Sequence, residues 1–288
     1  MPARRDYTGS IKMHQGLLWF ALAFYGAGIA FALPSLRRGR RELNAAAVGA
    51  LSAGLALNAA ALVLAALRLH RLPVVDVESA LSFLAFNLTL AFFLAYRHYR
   101  NTWLGALILP FVFVMTLAAA LSRGRPLPAT TLRGGWLIVH GSSMILGYTG
   151  LCVTCAAAVL YLLQERQLKS KRPKAFYARL PALEVCDRLY DRSLIFGLIC
   201  LSVGILTGCL WATRAWRGAW ELDPKILASM FTWVIYLLLC STRFSRSWRG
   251  KRSAYFAIFG FAAIMITFLG STFLSSVHGI VPHAGGMH

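Results

Sequence analysis

The chain has 288 residues; 58% are hydrophobic, only 14% are charged, and 30 lysines and arginines against 10 acids give a net charge of +20. A soluble domain carries roughly a quarter of charged residues, so this composition, with a mean hydropathy of +0.61, excludes an ordinary soluble enzyme, a disordered tail and a disulfide scaffold. It predicts a polytopic membrane protein with basic loops.

About 20 apolar residues carry a helix across the hydrocarbon core. Eight stretches qualify, near 14–35, 43–67, 79–97, 103–122, 135–163, 193–213, 225–242 and 253–277. Spanning helices satisfy their own backbone hydrogen bonds. The expected fold is therefore all-α: a polytopic bundle of about eight transmembrane helices, one integral membrane domain over residues 1–288.

The first stretch is long, is followed by RRGRRE at 37–42, and shows no clear small-residue cleavage site, so it reads as an uncleaved span. In the second and third spans Asn58, Asn87 and Thr89 read as helix-packing groups. Cys152 and Cys155 make a CxxC inside the fifth span. Reactive thiols need solvent and an electropositive setting, so this pair reads as small packing residues. There is no CxxCH and hence no site for covalent c-type haem.

Residues 164–192 form a basic cytoplasmic connection that opens QERQLKSKRPK. Leu180, Leu183, Val185 and Leu189 lie among charges in its second half and predict a short amphipathic surface helix. Gly204 and Gly208 give the sixth span a GxxxG packing seam. Residues 211–225 form an outer, tryptophan-rich loop.

The odd-numbered connections hold 19 lysines and arginines; the termini and even-numbered connections hold 11. The richer side belongs in the cytoplasm, which puts both termini outside. The basic residues are spread over many short loops rather than gathered on one face, so the lipid bilayer, not nucleic acid, accounts for the charge.

The informative residues gather on the outer side. Trp211, Trp216 and Trp220 are interleaved with Arg214 and Arg217 and followed by Asp223 and Lys225. Tryptophan favours the headgroup zone in any case. Three indoles with two guanidinium groups in one loop also suit a flat, apolar, dianionic ligand, and haem is one: its ring stacks on indole and its propionates pair with arginine. Haem iron further needs axial ligands, usually histidine. His140, in GGWLIVHGSSMILGY, and His278, in STFLSSVHGIVPH, fall at the outer ends of the fifth and eighth spans. Each is followed by a glycine, which lets a macrocycle approach closely. His14 and His70 are also expected outside, in weaker contexts; His98 faces the cytoplasm, and His283 and His288 lie on the tail.

At these residues the sequence resembles the cytochrome c assembly superfamily, in its CcsA/HemX-like branch, over roughly 136–282. The pieces are HGSSMILGYTGLCVTCAAAVLYL, LPALEVCDRLYDRSLIFGLICLSVGILTGCLWA, AWRGAWELDPK and FLGSTFLSSVHGI. The resemblance implies a haem platform outside the membrane, the WWD domain, made by Trp211, Trp216, Trp220 and Asp223. It implies His140 and His278 as axial ligands of a non-covalent, b-type haem. It also implies a CcsB/ResB-like membrane partner and apocytochrome c.

Two departures bear on function. The core reads WELDPKI, with Leu222 where the family has tryptophan and Ile226 where it has an acid. No histidine falls at mid-helix, where full synthases tend to carry one. Two functions stay open. One is a haem-handling membrane protein of cytochrome c-type biogenesis that presents haem at the outer face. The other is a HemX-like regulator of tetrapyrrole synthesis, or an interaction subunit, partnered by a tetrapyrrole-pathway enzyme. Both describe an assembly or binding factor rather than a stand-alone enzyme, and no catalytic residue is assigned. A transporter is least supported, since few ionisable groups are expected at mid-membrane. The expected location is the cytoplasmic membrane of a bacterium, ahead of a plastid membrane.

Overall fold

A computed structural model describes residues 2–37, 42–68, 77–122, 135–170, 180–215, 224–244 and 250–278. Among the described residues there are eight helices and no strand: α1 (Pro2–Arg37), α2 (Ala45–Arg68), α3 (Val77–Tyr99), α4 (Thr102–Leu121), α5 (Gly135–Lys169), α6 (Leu183–Ala215), α7 (Pro224–Phe244) and α8 (Lys251–His278). The first seven are long and apolar enough to cross a membrane, and α8 coincides with the eighth expected span. The protein is a polytopic helical membrane protein. Large apolar side chains such as Phe20, Leu94, Leu206 and Phe259 are more than 60% exposed around the bundle. Water would penalise such a surface; lipid does not.

Local chemistry sets several helix ends. Asn44 and Asn101 accept from the amides of Ala47 (2.7 Å) and Trp103 (2.9 Å), capping α2 and α4. Arg100, at φ 47°, ends α3 in the left-handed region while its amide donates to the Tyr96 carbonyl.

Helix α6 departs from expectation. Among the described residues no separate amphipathic helix precedes the sixth span: Leu183, Val185 and Leu189 lie in α6 itself, which runs unbroken from Leu183 to Ala215. Its charged first turns are held in place. Arg243 of α7 donates from Nε to Asp191 (2.6 Å) and from Nη2 to Asp187 (3.1 Å), with its guanidinium 4.5 Å from the centroid of the Tyr190 ring. An amphipathic stretch with these partners continues the span instead of lying on the lipid surface.

The packing has two halves. Helices α1 and α2, α3 and α4, and α1 and α4 pack together, while α5 meets α6 and α8, α7 meets α6 and α8, and α3 and α4 touch α5. The α5–α6 contact is the most extensive of all. It is a glycine seam. A Cβ on Gly150 would lie 2.7 Å from the Gly197 Cα, and one on Gly147 would lie 2.8 Å from Leu201 Cδ1. In lipid, where burial of apolar area does not drive helix association, such close backbone contact does.

Candidate haem site

The seam carries upward to His140. Along α5 and α6 the pairs run Thr154 with Ser193, Gly150 with Gly197, Gly147 with Leu201, Met144 with Gly204 and His140 with Gly208. The helices are therefore antiparallel, with His140 beside the last turns of α6. Its ring is half-buried, and Nδ1 lies 2.7 Å from the Gly204 carbonyl oxygen. A carbonyl only accepts, so Nδ1 carries the proton. In the neutral ring the lone pair then belongs to Nε2, the state in which imidazole binds a metal.

The register of α8 decides which end meets His140. At the far end of α5, a Cβ on Gly250 would lie 3.0 Å from Tyr161 Oη. Phe261 lines a cavity of about 140 Å³ with Cys155, Ala156 and Val159. Met265 lines a neighbouring space with Tyr148 and Cys152. Helix α8 is thus antiparallel to α5 and climbs toward the His140 end. At 1.5 Å per residue, His278 stands about 20 Å along α8 past Met265, and His140 about 12 Å along α5 past Tyr148. Both expected ligands belong to the same end of the bundle.

Trp211 and Arg214 lie in the last turns of α6, and helical spacing puts position 211 on the face that carries 204 and 208. Trp216, Arg217, Trp220 and Asp223 lie outside the described residues.

A family model described as "Cytochrome C assembly protein" matches residues 74–278, more than half of the chain. The chain belongs to the cytochrome c assembly protein family. The match starts in front of α3, well before the region around 136 where the motifs begin, so family membership extends into the first half. Among relatives, "Cytochrome c biogenesis protein CcsA" of Guillardia theta is 32% identical, covering 70% of this chain and 74% of its own. The protein of that name from Prochlorococcus marinus (strain MIT 9515) is 30% identical over 74% of this chain and 75% of its own. The one from Synechococcus sp. (strain JA-3-3Ab) is 27% identical over 88% of each.

Within this family member the residues available to haem fit the group on one count that the structure describes: an imidazole whose Nδ1 is already committed to a carbonyl. Among the described residues no group of three or more histidines, cysteines and acids could hold a bare metal ion. A porphyrin needs only axial ligands from the protein, so this does not bear on it.

Sequence reasoning missed one ionisable pair. His14, expected on the outer side with no partner assigned, is 2% exposed, with Nδ1 3.2 Å from Oε1 of Glu78, itself 3% exposed. An acid at the start of one span and a histidine at the matching end of another was the available signal. Of the polar residues read as packing groups, Asn58 bridges two helices: its Oδ1 accepts from Ser82 Oγ at 2.6 Å. Asn87 and Thr89 donate back to carbonyls of their own helix. Cys152 and Cys155 are free thiols lining the apolar cavity.

Proposed function

We propose that this protein takes part in cytochrome c biogenesis by holding haem at the outer face of the membrane. The observation that carries the reading is His140: its Nδ1 proton goes to Gly204, its Nε2 is the nitrogen left to bind iron, and α8 delivers His278 to the same end of the bundle. The names of the relatives favour this reading over a regulator of tetrapyrrole synthesis.

In this reading His140 and His278 are the axial ligands of a non-covalent, b-type haem. Trp211, Trp216 and Trp220 supply an apolar shelf, Arg214 and Arg217 neutralise propionates, and Asp223 completes the loop. Bound haem supplies the vinyl groups that join apocytochrome thiols. The chain positions the cofactor and shields it, and acts as an assembly factor. The substrate partner is apocytochrome c, and the companion is a CcsB/ResB-like membrane protein. Residues 1–288 act as one membrane domain, with 136–282 the haem-handling part, 164–192 the basic cytoplasmic connection and 211–225 the outer loop. The membrane is the cytoplasmic membrane of a bacterium, with both termini outside.

The test is the absorption spectrum of the full-length protein purified in detergent, oxidised and reduced. A Soret band that falls in His140→Ala and disappears in the His140→Ala/His278→Ala double variant is expected. Wild-type haem content in the double variant overturns the ligand assignment.

A further inference from the structure

We propose that Gly204 and Gly208 of α6 form a cradle that fixes both the tautomer and the aim of the His140 imidazole, which makes them positioning residues for an iron porphyrin. The proposal rests on the reading of His140 as a haem ligand and adds how this chain prepares it.

Two glycines one helical turn apart most simply mark a packing seam. Here they do more than let two backbones meet. At Gly208 an added Cβ would stand 2.7 Å from both Nδ1 and Cε1 of His140 and 3.6 Å from Cγ. The edge of the ring therefore rests on the bare Cα of Gly208. Any larger residue there must push that edge off α6, and the edge includes the nitrogen bonded to the Gly204 carbonyl. At Gly204 a Cβ would meet Met144 Sδ at 2.7 Å and the Met144 backbone nitrogen at 3.2 Å. Gly204 thus lets α5 close on α6 until the His140 ring reaches the carbonyl. One glycine sets the approach, and the other makes room for the ring.

The chemical consequence is a choice of nitrogen. An unconstrained neutral histidine in water favours the proton on Nε2, which would block that atom as a ligand. The Gly204 carbonyl reverses the preference and leaves Nε2 free. Thr207 Oγ1 lies 3.0 Å from the same oxygen and 2.7 Å from the Val203 carbonyl oxygen, so its single proton is divided between the two. The imidazole therefore shares its acceptor. Removing the hydroxyl leaves the oxygen to the ring, strengthens the Nδ1 hydrogen bond, raises the basicity of Nε2 and favours ferric iron.

The experiment uses the full-length protein in detergent, labelled with ¹⁵N-histidine and free of haem, followed by haem titration. Wild-type His140 is expected as the Nδ1–H tautomer. Gly208→Ala should convert it to Nε2–H and weaken haem binding by about 10- to 100-fold, the usual loss when a ligand's orienting partner goes. Gly147→Ala, on the same seam but against Leu201, should lower thermal stability while leaving the tautomer and the haem spectrum as in wild type. Thr207→Val, which leaves both glycines in the chain and removes only the hydroxyl on the Gly204 carbonyl, should strengthen the Nδ1 hydrogen bond in the ¹⁵N spectrum and lower the haem midpoint potential. It decides the matter if Gly208→Ala does not fold. An Nε2–H tautomer in the wild type, an unchanged tautomer in folded Gly208→Ala, or an unchanged Nδ1 resonance in Thr207→Val overturns the cradle. His140→Ala separates the two levels. If it binds haem like wild type, the proposed function fails; if it loses haem while Gly208→Ala and Thr207→Val match wild type, only the cradle fails.

Discussion

His14 and Glu78 meet across α1 and α3, with Nδ1 of the histidine 3.2 Å from Oε1 of the carboxylate and both side chains almost wholly withdrawn from the surface. Nε2 of His14 has no hydrogen-bond partner among the described residues. A buried pair of this kind is costly to assemble and more costly to split, because the remaining group keeps its desolvation penalty.

His14→Ala should therefore destabilise the protein by about 3–5 kcal/mol. Replacing both partners, as in His14→Phe/Glu78→Leu, should cost less than either single change. Thermal unfolding in detergent measures the cycle. Additive losses would show that the two side chains do not interact.

At the opposite end of the bundle, Arg243 joins α7 to Asp187 and Asp191 of α6 through two different nitrogens. The two aspartates are 40% and 35% exposed, so solvent screens the pair in part. Arg243→Ala should cost about 1–3 kcal/mol. Arg243→Lys should recover less than half of that, since an ammonium lacks the planar fork. Full recovery by lysine in a thermal melt would mean that charge alone matters.

The glycines are not equivalent. A Cβ at Gly150 would lie 2.7 Å from the Gly197 Cα and 2.9 Å from both the Gly197 nitrogen and the Ser193 carbonyl oxygen, atoms that cannot rotate away. At Gly49 nothing lies within 4 Å. Gly150→Ala should lower the melting temperature sharply, whereas Gly49→Ala, in the interior of α2, should stabilise by roughly 0.5–1 kcal/mol. Equal effects from the two would contradict the α5–α6 seam.

The orientation has its own check. In a cysteine-free background, single cysteines at Thr130 and His283 should react with a membrane-impermeant thiol reagent in intact cells. One at Lys174 should react only after permeabilisation. The opposite pattern would place the His140 end of the bundle in the cytoplasm.

How much was legible in advance depended on the range of the interaction. The number and approximate position of the spans are local properties, since about 20 consecutive apolar residues suffice to fill the bilayer. The eight expected stretches accordingly recur as α1 to α8. The boundary at α6 was misjudged because the fate of LEVCDRLYDR depends on Arg243, which lies 52 residues beyond Asp191 in the chain. His140 stood out by its place at a span end, but which nitrogen it presents did not. That hangs on the Gly204 carbonyl, 64 residues away.

The order of the amino acids was thus sufficient for an all-helical membrane protein of the cytochrome c assembly family, because hydropathy and short motifs are carried by neighbouring residues. Only the tertiary structure decided that His14 is buried against Glu78, that the glycines of α6 support the His140 ring, and that α8 rises toward the same end as the start of α5. Each of these follows from the register of one packed helix on another. That register is set by side-chain fit across the whole interface, which no single segment contains.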